Sequence, residues 1–319
     1  MNIIAVDIGA TNLRVALFKD EKKIKELKTQ TPKDNPNSLS KSIINMIYEL
    51  SPEKDFNSIG IGSIGPLDLK KGIIELAPNL GLRNIPLKEP LYNEFKKEIY
   101  IANDAMAAVW AEKTLGDAKN KDDLAYITMS SGIGIGAIVD GNLVVGRRGN
   151  AHELGHTVVK FDSNFLCGCG KIGHWEAYAG GKNIPKVAYE LAKEWKGEKT
   201  QGYVLAINGN LTPEKLYDLA RKEDEFSKSL VDTINIVHAA GISTLIAAYD
   251  PEVIYIGGSI YLYNEDLIKP YLLKYIPKYS ALGVPEIKMC SFGDDQVLYG
   301  AASIAIDPPL TIKKFNIFK

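Results

Sequence analysis

The sequence predicts an α/β protein of two similarly folded domains, and three observations carry that prediction. A chain of 319 residues is too long for one ordinary core. A strand–glycine turn–strand unit stands near the N-terminus and recurs about 120 residues later. Elsewhere, short apolar runs alternate with segments of helical periodicity.

The elements justify this in order. Asn2 to Val6 is an apolar run followed by Asp7-Ile-Gly-Ala-Thr-Asn12, and Leu13 to Phe18 reads as strand again, so the first unit is a hairpin. Its spacing fits neither the Walker loop nor the dinucleotide fingerprint. The second copy is Ala125 to Met129, the turn Ser130-Ser-Gly-Ile-Gly134, and Ile135 to Val139. Setting Ala16-Leu17 against Ala137-Ile138 brings Thr11 opposite Gly132, and each copy then reaches an aspartate turn, at Asp20 or Asp140. Between the copies, Leu39, Ile43, Met46, Ile47 and Leu50 keep helical spacing up to Pro52. Ile59, Ile61 and Ile64 form a short strand leading into Gly65-Pro66-Leu67-Asp68. Leu91 to Lys97 is a short helix. Ile99 to Ala102 is a strand that stops at Asn103-Asp104, and Ala105 to Lys113 is helical. Past the cysteine-bearing stretch the chain turns mostly helical. Thr212-Pro213 starts one helix, and Phe226 to Tyr249 is a long one ended by Asp250-Pro251. Val253 to Ile256 is a buried strand running into Gly257-Gly258-Ser259, with helices near Glu265–Tyr275 and Val297–Ile306. No pattern is clear from Pro308 onwards. The expected domains are 1–115 with 297–319, and 116–296.

Composition narrows the function classes. Hydrophobic content of 45% and charged content of 24% are ordinary globular values. A net charge of −1 without a basic run points to neither nucleic acid nor an anionic membrane. Apolar runs fall short of 18 residues, and the strand pattern at Asn2 leaves no room for a signal peptide. Three cysteines fit a reducing cytoplasm, with Cys290 a buried small hydrophobe.

Chemistry concentrates in His152–Glu176, which holds two of the three cysteines and three of the four histidines. A bond between Cys167 and Cys169 would close a ring too small for disulfide geometry. With His156 and His174, each set off by glycines, the thiols read as ligands for a tetrahedral ion, Zn²⁺ before others. These residues alone leave open whether such an ion is structural or catalytic. The glycine turns offer backbone N–H groups that cradle phosphate without a lysine. Gly9, Thr11 and Asn12 could do so in the first turn, with Asp7 facing a metal ion, and Ser131, Gly132 and Gly134 in the second. A tight hairpin needing glycine for positive φ explains either turn equally well. Two related turns and Gly257-Gly258 after a strand point to a nucleotide site. Asp104, where a strand gives way to a helix, is either a helix N-cap or a general base accepting a proton from an attacking hydroxyl. Asn103 offers the donor and acceptor that sugar hydroxyls require. Glu153 and His156 would share one face of a helical turn, or form an ordinary surface pair.

These residues resemble the ROK family of sugar kinases, within the actin-like ATPase superfamily. The resemblance runs through DIGATNLRVAL at 7–17, GIGSIGPLD at 60–68, APNLG at 77–81, AND at 102–104, SSGIGIGAI at 130–138, HELGH at 152–156, CGCGKIGHWE at 167–176 and DPEVIYIGG at 250–258. It implies two actin-like (ribonuclease H-like) domains flanking an interdomain cleft. It implies that Asp7 helps to position Mg²⁺, that the turns at Gly9–Asn12 and Ser131–Gly134 hold ATP phosphates, and that Gly257-Gly258 lies against the nucleoside. Asp104 becomes the catalytic base. Asn79, Asn103, Glu153, His156 and Glu176 become sugar-binding residues, with Gly65 approaching through its backbone. His156, Cys167, Cys169 and His174 become ligands of a structural Zn²⁺. Three positions depart from the family pattern: His174 stands where a third cysteine is usual, His152 where glycine is common, and Ala10 where a second glycine is common.

The activity so implied is ATP-dependent phosphorylation of a hexose, glucose first, at its 6-hydroxyl. Kinases of N-acetylmannosamine, N-acetylglucosamine or fructose are alternatives within the family. A sugar-responsive regulator is a more distant one, since no helix-turn-helix segment precedes the first hairpin. A structural or chaperone ATPase would need the hairpins but not the His–Cys stretch. The resemblance admits a homodimer, and nothing in the sequence fixes the oligomeric state.

Overall fold

The computed structural model describes residues 1–77 and 80–316, and the predicted hairpin opens the chain. Strands β1 (Asn2–Ile8) and β2 (Asn12–Lys19) pair antiparallel with Asn2 opposite Lys19 and Ile8 opposite Leu13. β3 (Lys22–Gln30) adds to the outer edge of β2. Next come α1 (Ser38–Leu50), β4 (Ser58–Ser63), the small strands β5 (Leu67–Asp68), β6 (Ile73–Ala77) and β7 (Leu82–Pro86), then α2 (Lys88–Phe95), β8 (Glu98–Asn103) and α3 (Asp104–Thr114). β9 (Leu124–Met129), β10 (Ile133–Val139) and β11 (Asn142–Leu143) follow. Past the His–Cys stretch lie α4 (Trp175–Ala179), α5 (Ile184–Glu194), α6 (Gln201–Ile207), α7 (Pro213–Arg221), α8 (Glu225–Tyr249), β12 (Val253–Gly257), α9 (Ser259–Tyr279), β13 (Glu286–Met289), α10 (Gln296–Ile306) and α11 (Leu310–Lys313).

Two five-stranded sheets repeat one order. The first runs β3-β2-β1-β4-β8 and the second β11-β10-β9-β12-β13. In the first, β1 is antiparallel to β2 and parallel to β4, and β4 is parallel to β8. In the second, β11 is antiparallel to β10 and β13 parallel to β12. Asp20 and Asp140, the aligned turn residues, both take left-handed backbone (φ 54° and 49°). The duplication read from two short hairpins thus extends to whole sheets. A third sheet, β5-β6-β7, stands apart.

The chain divides into two compact units, 1–126 with 136–152 and 290–319, and 127–135 with 153–289. In the first, Ile3, Ile4, Ala5 and Val6 of β1 are all fully buried, as an interior strand of a covered sheet requires. Helix α10 lies against β1, β4 and α3. Gly60 permits that approach: a Cβ there would sit 1.8 Å from the Ala301 carbonyl oxygen. In the second, α8 is the core helix, packed by α4, α6, α7 and α9. By length and composition α8 could cross a membrane, but 61% of its most apolar window is buried inside the protein.

Element ends differ from prediction for local reasons. α2 stops at Phe95 because Lys96 turns left-handed (φ 53°). α9 begins at Ser259, six residues before its predicted start, after left-handed Gly258 (φ 84°) as N-cap, and non-helical Asn264 interrupts its periodicity. The tail contains the short α11, anchored by buried Ile312.

Candidate functional site

In the first unit, Asp7 is the penultimate residue of β1, just before the turn 9–11. The Gly9 N–H donates to the Asn12 carbonyl at 2.9 Å, so that donor is spent within the turn. Thr31 clamps the other side, its N–H on the Thr11 carbonyl (2.9 Å) and its hydroxyl on that of Gly9 (2.8 Å). Thr11 and Asn12 are exposed. The Asp7 carboxylate is gripped by Arg14, whose Nε and Nη2 reach Oδ2 at 3.0 and 2.7 Å. Burial pushes the Asp7 carboxyl above its usual range, and Arg14 opposes the shift.

Of the two roles considered for Asp104, the helix N-cap falls to its neighbour Asn103. Asn103 is the N-cap of α3: its backbone is extended and its side chain accepts from the Ala105 N–H at 2.9 Å. Asp104 is the first helical residue, half-buried, and its Oδ1 accepts from the same N–H at 2.8 Å. The pair stands at the C-terminal end of β8, with Asn103 opposite Ser63 of β4 and its amide donating to the Ser63 carbonyl. Ligands gather at such strand ends in α/β folds. Gly65 follows β4 after Ile64, in a cis bond to Pro66. Asn79 lies outside the described residues.

In the second unit the glycine turn, the His–Cys loop and the start of α9 converge. Ser130 N–H donates to the Gly132 carbonyl, while the carbonyls of Ser130 and Ser131 accept from Gly181 and Lys182 N–H at 2.8 and 3.1 Å. Gly134 lies within β10 rather than in the turn. Gly132 is not left-handed. A Cβ on it would meet Glu176 Oε2 at 2.4 Å, so glycine is there to admit that carboxylate. Glu176 Oε2 accepts from the Ile133 N–H at 3.0 Å, and the sugar-binding candidate is thereby fastened to the phosphate-turn candidate. Gly257 ends β12, and Gly258, left-handed at the head of α9, would carry a Cβ 2.5 Å from the Met129 carbonyl oxygen.

The loop folds on itself through the bridges Val158–His174 and Leu166–Ile172. Left-handed Gly170 and Gly173 (φ 83° and 74°) make its turns, as the flanking glycines suggested. His156, Cys167, Cys169 and His174 bring their donor atoms within 4.8 Å of one another. Cys167 Sγ lies 3.6 Å from His156 Nδ1, and Cys169 Sγ 3.3 Å from His174 Nδ1. Ligand bonds of about 2.0–2.3 Å at tetrahedral angles separate donors by about 3.3–3.8 Å, which the two thiol–imidazole pairs match, and the spread of 4.8 Å would close slightly for all four to hold Zn²⁺. Burial and the neighbouring His156 hold His174 below its ordinary pKa, the direction that favours the neutral form a ligand takes. Burial pushes the Cys167 thiol up to about 12. His156 Nε2 faces Glu153 Oε2 at 3.5 Å, which pairs those two residues as their spacing suggested. His152 is a buried structural residue, its Nε2 3.0 Å from the Gly149 carbonyl oxygen.

Sequence reasoning missed the supports. Arg14 and Asp295, which meet at 2.8 Å, lie 281 residues apart with no motif between them. Trp175 Nε1 donates to Nδ1 of fully buried His238 at 3.1 Å, fixing the start of α4 beside Glu176. Burial holds His238 neutral, its pKa pushed down to about 3.

The model of the ROK family matches residues 3–308. A glucokinase of Pyrobaculum calidifontis is 40% identical over 314 residues, covering 98% of each chain. Among solved structures, a ROK hexokinase from Thermus thermophilus superposes with a TM-score of 0.82 at 26% identity, covering 98% of this chain and 100% of that one. A ROK family glucokinase from Streptomyces griseus, in complex with glucose and AMPPNP, superposes with a TM-score of 0.75 at 28% identity over 96% and 99%. The repeated sheets are the two actin-like domains of these kinases, and the chain belongs to the ROK family.

Proposed function

We propose that the protein is an ATP-dependent hexokinase that phosphorylates glucose at its 6-hydroxyl. The observation that carries this reading is the end-to-end likeness to a glucokinase, at 40% identity over 98% of both chains. Asp104 is the general base that takes the proton of an attacking hydroxyl; its place at the end of β8, first in its helix and with Oδ1 engaged by the Ala105 N–H, supports that role. Phosphoryl transfer asks mainly for positioning and charge. Asn79, Asn103, Glu153, His156 and Glu176 hold the sugar hydroxyls, and Gly65 approaches through its backbone. The turn after β1, through exposed Thr11 and Asn12, and Ser131–Gly132 with the first residues of β10 hold the phosphates, with Gly257 and Gly258 against the nucleoside. Magnesium, when bound, supplies positive charge at the phosphates, and Asp7 helps to hold it.

His156, Cys167, Cys169 and His174 hold zinc. Four protein ligands leave no open coordination position, so such an ion braces the loop rather than activating water. His156 then turns Nδ1 to the metal and Nε2 toward Glu153 and the sugar, and Glu176 is fixed from the Ile133 side. Each five-stranded sheet falls wholly within one of the ranges 1–115 and 116–296, which supports those ranges, with 297–319 returning to the first, as the two folding domains, whereas packing groups 116–126, 136–152 and 290–296 with the first. Three free thiols suit a cytoplasmic protein.

A coupled assay of ADP release tests the function, with ATP and a panel of glucose, mannose, fructose, N-acetylmannosamine and N-acetylglucosamine. Glucose should give the highest kcat/KM. Higher kcat/KM for an N-acetylated sugar moves the assignment to that kinase class, and ADP release independent of any sugar overturns it.

A further inference from the structure

Asp7 and Arg14 are direct cross-strand partners, one pair inward from the Ile8–Leu13 pair beside the turn. Their side chains are only 15% and 14% exposed. A guanidinium beside a carboxylate commonly takes both oxygens in a parallel fork. Here Nε and Nη2 converge on Oδ2 alone. The far edge of the guanidinium explains the offset. Its Nη1 donates to Asp295 Oδ1 at 2.8 Å, and its Nη2 also donates to the Asp294 carbonyl at 2.9 Å. Asp295 is fixed in turn by Lys23, whose Nζ lies 2.6 Å from its Oδ2 and 2.7 Å from Glu26 Oε2. Asp294 and Asp295 belong to the short turn Gly293–Asp295 that leads into α10.

We propose that Asp295, secured by Lys23, is a positioning residue that holds Arg14 edge-on to one oxygen of Asp7, so that the other oxygen stays available to a divalent cation carried with the nucleotide. This inference rests on the reading of Asp7 as the residue that positions magnesium. Charge supports it. Three carboxylates (Asp7, Glu26, Asp295) face two cations (Arg14, Lys23), which leaves the cluster one negative charge in excess. Neutralising Asp295 frees Arg14 to rotate onto both oxygens of Asp7, where it competes with the cation.

The test is Mn²⁺ affinity in the presence of AMPPNP, read by electron paramagnetic resonance on the full chain, for wild type, D7N, D295N, R14M, K23M and R14M/D295N. D295N should weaken Mn²⁺ about tenfold, the scale on which supports of a metal site act, and K23M should weaken it in the same direction. R14M/D295N should bind no more weakly than R14M, because Asp295 acts through Arg14. Mn²⁺ affinity unchanged in D295N and K23M but lost in D7N overturns the inference and leaves the reading of Asp7 standing. A D295N effect that persists in the R14M background also overturns it. Unchanged affinity in D7N overturns the reading of Asp7 itself. K23M keeps the test decisive should D295N fail to fold.

Discussion

Replacing Gly132 with alanine separates a phosphate turn that needs glycine for backbone freedom from one that needs it for room. Gly132 is not left-handed, so alanine meets no φ penalty. The added Cβ falls 2.4 Å from Glu176 Oε2 and 3.2 Å from its Cδ. Ordinary contact begins near 3.4 Å, so the carboxylate must retreat by about 1 Å. That end of a glutamate is flexible, and the fold should survive. The retreat breaks the bond from Ile133 N–H to Oε2, a bond to a charged group worth about 1.5–3 kcal/mol. If Glu176 holds the sugar, that converts to about a tenfold to hundredfold loss in kcat/KM for glucose. Steady-state kinetics with glucose varied, beside KM for ATP and the thermal midpoint, reads this out. Glucose KM should rise, with the midpoint lowered by no more than about 10 °C. Unchanged glucose kinetics would refute the reasoning, because Glu176 would then have moved without consequence for the sugar.

Other perturbations follow from the same geometry. Wild type should carry about one zinc per chain by elemental analysis and His174→Ala should lose it, and chelation should weaken glucose binding before nucleotide binding; full glucose affinity in a metal-free chain would contradict the bracing role. Glu112, fully buried on α3, accepts from Ser291 N–H (2.8 Å), the Ser291 hydroxyl (2.5 Å) and Gln296 Nε2 (2.9 Å). Glu112→Ala strands all three donors and should lower stability by about 3 kcal/mol in urea unfolding; a loss under 1 kcal/mol, allowing about that error, would show that they find other partners. Burial raises the Asp224 carboxyl, but N–H groups of Gly202 and Ser227 and the Thr200 hydroxyl outweigh it and hold it below its usual range. A depressed carboxyl stabilises fully above its unfolded value of about 3.9 and less as pH falls through the folded one, so Asp224→Asn should flatten the acid limb of stability between about pH 5 and 2. An unchanged limb would contradict this.

Local signals read well from the sequence. The β1–β2 hairpin announced itself because an apolar strand, a glycine turn and a second strand are adjacent, and the thiol–imidazole cluster because its ligands fall within 19 residues. β3 went unread because KKIKELKTQ is a charged edge strand, mostly exposed, with no buried face to set a period of two. Gly132 suggested a turn and gave no hint that Glu176 needs its space. Asp104 looked like a cap because aspartate usually serves there, yet Asn103 caps the helix and leaves Asp104 its first residue. The Arg14–Asp295 contact joins distant segments whose meeting only the fold determines. Local patterns thus located the candidate residues, while long-range packing determined how each is held.

The central claim is that Asp104 deprotonates a glucose hydroxyl for transfer from ATP. The direct measurement is turnover of Asp104→Ala beside its glucose affinity by calorimetry. Turnover should fall by about 10²–10⁴, the usual contribution of a general base, with glucose binding within a few-fold of wild type. Near-normal turnover in that variant would contradict the account.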